Sequence, residues 1–239
     1  SMQFNNLVAP YRIGTIYYNG LGVDVNIKKA IKFFKICTYY HFEQGYLFFY
    51  AELNRSINDL AIIYITEKEF INQNTAAKYF KKASSNEYCF AWNNYGLFYE
   101  FFNDEFDKAE SQYNRASNAK FALSDFNLAR LYYKKNNKEK SLEYYIKFSD
   151  HENEPLLYLG QKIYDERLDR SISYISCIVN LKLTLHFLFK NEYIKARKYF
   201  VRTLSKQINI SKNNFYYSNS LKNDPYSFLI ELIFNNYED

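Results

Sequence analysis

The feature that most restricts this chain is that it repeats itself. A small residue preceded by an apolar one and followed three residues on by Tyr occurs as Ile13-Gly14 with Tyr17 and as Leu60-Ala61 with Tyr64. It returns as Tyr95-Gly96 with Tyr99 and as Leu128-Ala129 with Tyr132. After each comes a second pattern, small, aromatic, then small or apolar, at i, i+4 and i+7: Ala30, Phe34, Cys37; Ala76, Phe80, Ala83; Ala109, Tyr113, Ala116; Ser141, Tyr145, Phe148. These spacings place each set on one helical face. Gly96 to Ala129 is 33 residues, Ala76 to Ala109 is 33, and Ala109 to Ser141 is 32. One unit is therefore a helical hairpin in which small residues let two backbones approach while an aromatic ring fills the groove beside them. Neither helix can bury its ring face alone, so the units must stack.

Composition agrees and removes other classes. Twenty-six Tyr and 22 Phe in 239 residues supply large apolar area, while 6 Gly and 3 Pro are too few for the turns of a β-sandwich or barrel. No apolar run approaches the roughly 20 residues of a membrane-spanning helix. The start, SMQFNNLVAP, lacks a basic region followed by an apolar one, so no secretory signal is expected and a cytoplasmic location is. Cys37, Cys89 and Cys177 are an odd number at long spacings, which reads as reduced, buried thiols. Net charge is uneven: +3 over residues 1–90, −2 over 91–170 and +4 over 171–239. That polarity can steer a partner but does not by itself specify nucleic acid.

Two families are resembled. IGTIYYNGLGVDVNIKKAIKFF, residues 13–34, looks like a Sel1-like repeat at Gly14, Gly20, Gly22, Val23, Lys29 and Ala30. Repeats three and four look more like tetratricopeptide units: Trp92, Gly96 and Tyr99 in WNNYGLFY, with Tyr95 where that family has Leu, and Ala129, Tyr132, Ser141, Tyr145 and Phe148 at its spacing. The resemblance covers residues 8–150. It implies an all-α, right-handed α-solenoid whose first helices line a concave side where an extended peptide or partner helix docks.

About five hairpin units are expected over residues 1–205. Gly14 to Ala61 is 47 residues, so an extra helical segment is expected near 41–53. After residue 150 the pattern diverges: Gly160 and Tyr164 are out of register, Ser171, Tyr174 and Ile178 suggest a second helix, and Lys195-Ala196 with Tyr199 and Thr203 a later one. Pro10, Pro155 and Pro225 fall at expected helix starts. Residues 206–223, rich in Asn, Ser and Lys, read as a long loop before a short closing helix, DPYSFLIELIF.

Enzymatic chemistry finds little support in the residues, and neither a cofactor nor a metal is expected. His41, His151 and His186 are scattered without metal-ligand spacing, and phosphate-cradling glycine loops are absent. Glu100, Asp104, Glu105, Asp107 and Glu110 read as a solvated inter-helix turn. Lysine stripes at Lys28, Lys32, Lys35 and at Lys78, Lys81, Lys82, with Lys195, Arg197, Lys198 and Arg202 further on, invite an RNA-binding reading, but Ser111, Asn114 and Glu143 interrupt them.

The partner surface is expected at outward positions of the first helices: Tyr11, Thr15 and Tyr18; Arg55, Asn58 and Ile62; Asn93, Leu97 and Glu100; Phe126, Arg130 and Tyr133. The reading is a non-enzymatic scaffold that binds a protein or peptide there. Alternatives are an immunity or inhibitor protein that neutralises a toxin, and an RNA-binding helical repeat.

Overall fold

The computed structural model describes residues 8–44, 50–86, 88–151, 157–158, 161–162 and 166–213. Among them, ten helices form five consecutive hairpins: α1 (Val8–Asn19) with α2 (Ile27–Gln44), α3 (Tyr50–Thr66) with α4 (Gln73–Ser85), α5 (Cys89–Phe102) with α6 (Phe106–Asn118), α7 (Ala122–Lys134) with α8 (Lys138–His151), and α9 (Glu166–Phe189) with α10 (Tyr193–Asn213). Each helix packs on the next in chain order, and the first helices α1, α3 and α5 also touch in succession. The fold is the expected all-α solenoid.

The repeat pattern states its own packing. A Cβ placed on Gly14 would lie 2.6 Å from the Phe34 ring, and one on Gly96 2.5 Å from the Tyr113 ring. Small residues are therefore required where the aromatic of the second helix crosses the first. A second ring contact follows one position from that crossing: Tyr17 stacks on Phe33 at 5.9 Å, Tyr64 on Tyr79 at 5.8 Å and Tyr132 on Tyr144 at 5.4 Å. In the third hairpin Gln112 takes the place of that ring, and Tyr99 stacks on Tyr95 instead.

The second helices begin alike. Asn26, Asn72 and Asn137 accept the amides of Lys29, Thr75 and Lys140 through their side chains, four residues before each small residue. The turns between paired helices use left-handed residues that glycine or a short polar side chain tolerates: Gly20 and Gly22, Asp104, Asn136 and Asn191, with φ of 55–74°.

Three expectations change. Residues 41–44 continue α2 and 50–53 begin α3, so the described part of the extra segment lengthens two helices and forms no helix of its own. Gly160 and Tyr164 lie outside the described residues; among the described ones nearby, a two-residue antiparallel ribbon pairs β1 (Leu157–Tyr158) with β2 (Gln161–Lys162). The two helices read after it, at 171–178 and 195–203, are α9 and α10, which form one complete hairpin. α10 also continues to Asn213, into the expected loop. Pro155 and the closing helix lie outside the described residues.

Candidate functional site: the row of first helices

Aligning hairpins on their small residue (Ala61, Gly96, Ala129) puts three positions on the side away from the second helices. They are Arg55, Asp59 and Ile62 on α3; Phe90, Asn94 and Leu97 on α5; and Leu123, Asn127 and Arg130 on α7. Eight of the nine are buried and Arg55 is half-buried. At the same register on α1, Arg12 is exposed and Thr15 half-buried.

Polar side chains bind this row together. Asn94 Nδ2 donates to Asn58 Oδ1 at 3.0 Å, tying α5 to α3. Asn93 Oδ1 accepts from Ser124 Oγ at 3.1 Å and from Asn127 Nδ2 at 2.8 Å, tying α5 to α7, and Asn93 Nδ2 donates to Asn94 at 3.2 Å. Buried amides need partners, and here each helix supplies its neighbour's. Beside this chain, Arg130 forms a two-pronged ion pair with Glu100, Nη1 to Oε1 at 2.7 Å and Nη2 to Oε2 at 2.6 Å. The Tyr113 hydroxyl donates to Glu100 at 2.8 Å, and the guanidinium lies 4.9 Å from the centre of the Phe101 ring. Closer to the first repeat, Tyr11 donates to Asp59 at 3.3 Å and Tyr18 to Glu67 at 3.4 Å. Burial, then the charges of Glu67 and Asp59, hold the Tyr18 phenol well above its ordinary range.

This geometry revises the expected partner surface. Tyr11, Tyr18, Asn58, Ile62, Asn93, Leu97, Glu100, Phe126 and Arg130 are buried, Thr15 and Arg55 are half-buried, and Tyr133 alone of the twelve is exposed, at 58%. The outward reading misplaces nine of them: Asn58, Asn93, Glu100 and Arg130 because successive first helices close on one another, and Phe126 because its ring packs on Tyr145 and Phe148 of its own hairpin. Asn58, Asn93, Glu100 and Arg130 face a neighbouring repeat and serve its hydrogen bonds. Glu100 also leaves the acidic turn to which it was assigned. Of that group, Asp104 and Asp107 are exposed, Glu105 pairs with Lys108, and Glu110 pairs with Lys135 at 2.7 Å.

One cluster resembles a hydrolytic relay in composition only. Asp125, fully buried on α7, accepts from Ser117 Oγ at 2.6 Å and contacts His151 Nδ1 at 2.8 Å, while Lys147 donates to Ser117 at 2.6 Å. The carboxylate lies between hydroxyl and imidazole, whereas nucleophile activation needs the imidazole between them. Burial raises the Asp125 carboxyl above its ordinary value against the pull of Ser117, His151 and Lys147. His186 packs edge-on against Phe187 at 5.1 Å. Among the described residues, no group of His, Cys, Asp and Glu could hold a metal ion, and no helix is long and apolar enough to cross a membrane.

On the outer layer, Lys28, Lys32 and Lys35 are exposed and line a shallow groove with Ile31, Ile36 and Tyr39. Lys78 and Lys81 are exposed on α4. The stripe stops at α6 and α8, where Asn114 accepts from Tyr144 at 3.1 Å and Ser111 and Glu143 are exposed.

A family model described as the Sel1 repeat matches residues 8–36, 58–88 and 109–153, which take in the first, second and fourth hairpins in whole or part and most of α6 in the third. No curated protein sequence matches the chain. Among solved structures, a Sel1 repeat protein from Oxalobacter formigenes superposes with a TM-score of 0.51 at 17% identity, over 85% of this chain and 91% of that one. A protective antigen of uropathogenic Escherichia coli, described as displaying an SLR fold, gives 0.46 at 15% over 84% and 46%. An immunity protein from Pseudomonas aeruginosa gives 0.49 at 16% over 84% and 69%. At 17% identity the first of these likenesses is one of fold.

Proposed function

We propose, from the match of three of its segments to the Sel1 repeat, that it is a non-enzymatic scaffold that holds a protein or peptide along its row of first helices. Sel1 repeats are in general a protein-interaction fold, and a fold of this kind acts through what it holds. The observation that carries the reading is the row itself, whose first helices are held at a fixed spacing by hydrogen bonds across three hairpins. Such a surface is rigid before a ligand arrives, which lowers the ordering cost of binding. Its accessible margin is Arg12 and Thr15 at one end and Tyr133 at the other.

The test begins with affinity capture from the host, followed by direct titration of the identified protein. Arg12→Glu with Tyr133→Ala is expected to weaken that titration at least about tenfold, in line with loss of an interface anchor, while circular dichroism is unchanged. Unaltered affinity would contradict the surface. Arg130→Ala is unsuited to this test because it strands the buried Glu100. Capture of a toxin would make the scaffold an inhibitor, and salt-sensitive capture of RNA would replace the protein reading.

A further inference from the structure

Among the described residues, every hairpin but the last is covered by its successor, and the covering falls on fixed positions. On first helices the residue three before the small one meets the next hairpin: Tyr11 donates to Asp59, Asn58 accepts from Asn94, and Asn93 accepts from Ser124 and Asn127. On second helices the ring four after the small residue does so at Phe80, which packs on Tyr95 and Phe98. The serine eight after it does so too, since Ser117 donates to Asp125 and Ser149 to Asn180.

The last hairpin keeps this register. Phe187 stacks on Tyr199 at 5.5 Å as Tyr132 stacks on Tyr144, which makes Thr184 and Ala196 its small positions, spaced like Ala129 and Ser141. The positions that face a successor are then Leu181 and Leu185 on α9 with Phe200 and Leu204 on α10. All four are apolar and 44–47% exposed, whereas their counterparts Asn58, Asn93, Ile62, Leu97, Phe80 and Ser149 are at 0–2%. An open apolar stripe of this kind marks an interaction site.

We infer that this stripe holds a second copy of the chain, with α9 packed antiparallel on the other α9 about a two-fold axis. The stripe continues the hairpin-stacking interface, because the same positions elsewhere pack helix on helix. It is also self-complementary. Ile178, Leu181, Leu185 and Leu188 follow one another at 3, 4 and 3 residues, the spacing of a helix–helix seam. That order reads the same in reverse, so an antiparallel copy meets it in register, Leu181 opposite Leu185 and Ile178 opposite Leu188.

Charge agrees with a second copy rather than an acidic partner. Between Ile178 and Leu188 the only Lys, Arg, Asp or Glu is Lys182, whose ammonium lies 5.9 Å from the centre of the Tyr145 ring on α8. On α10 the cations turn to their own chain: Lys195 pairs with Glu192 at 2.6 Å, and Lys198 and Arg202 reach Asp150 at 3.5 and 3.1 Å. Arg197 is exposed beside Phe200 and would repel its copy at close range, which puts α9 on the axis and α10 at the rim. The pairing does not depend on the partner row.

Light scattering of the full chain tests it. From low to high micromolar concentration the mass should rise toward that of two chains and stop there. Leu185→Asp brings two carboxylates to the axis and is expected to raise the dimer dissociation constant at least about a hundredfold, with helix content and the unfolding of the dilute monomer unchanged. A single-chain mass at every concentration, growth beyond two chains, or a dimer that Leu185→Asp leaves intact would each overturn the proposal. Cross-linking supplies a second reading that needs no charge in the seam. In a Cys177→Ser background, chains carrying Leu181→Cys and chains carrying Leu185→Cys are mixed and oxidised. The unlike pair should form a disulfide faster than either like pair, and a preference for like pairs would contradict the antiparallel packing.

Discussion

The middle hairpins and the last one use the same kinds of residue to opposite effect. On α5, residues 89–98 are all buried, polar Asn93 and Asn94 among them, whereas α9 and α10 leave Leu185, Phe189, Ile194 and Phe200 exposed. Composition does not separate the two regions. What separates them is neighbours: α5 has α3, α4, α6 and α7 around it, while α9 has α8 before it and α10 beside it. Burial in a solenoid is thus a property of position in the stack as much as of sequence, and amides or charges enter the interior where the next repeat offers them partners.

That contrast can be broken most forcefully at Arg130. Replacing it with Ala leaves Glu100 buried without its counter-charge, and a loss of about 3–5 kcal/mol is expected in denaturant unfolding. A loss like that of a surface substitution would show the middle row to be wetter than described. Gly96→Ala drives a methyl into the Tyr113 ring and is expected to destabilise by about 1–3 kcal/mol. Gly14→Ala, against Phe34, should cost a similar amount even though its hairpin is terminal, because that contact lies within one unit. Asn93→Ala removes the acceptor of Ser124 and Asn127 and is expected to cost about 1–3 kcal/mol, whereas Leu185→Ser on the open stripe should stay within about 0.5 kcal/mol. The smallest effect concerns the thiols. Burial pushes Cys89 up to about 12 and Cys37 up to about 11, so alkylation of the folded chain at pH 8 should spare both and reach the half-buried Cys177 first, as peptide mapping would show.

Much of the fold was legible in the sequence because the repeat encodes contacts within a unit. Gly14 with Phe34 and Gly96 with Tyr113 are intra-hairpin pairs at fixed spacing, and the periodicity announces them. Two further signals are present and carry meaning once the helices are seen. One is the Asn four residues ahead of Ala30, Ala76 and Ser141 that caps the second helix. The other is the ring at Phe33, Tyr79 and Tyr144 that stacks on the Tyr of the first helix. The candidate site was less legible because it is made between units. Asn93 and Arg130 read as outward on an isolated helix, and only the closeness of α5 to α7 turns them inward. The inserted segment was misread for a related reason: two hairpins can absorb extra residues by lengthening α2 and α3, which local periodicity does not distinguish from a new helix.

The central claim is that the first helices of the middle hairpins form one closed interior while the ends of the stack remain open. Native-state amide hydrogen exchange across the full chain measures this directly, since closed interior elements open only with global unfolding. The prediction is that α5 and α7 exchange slowest and at a common rate, with α1 and α10 faster by at least about a hundredfold. Exchange at α5 and α7 as fast as at α10 would contradict the account.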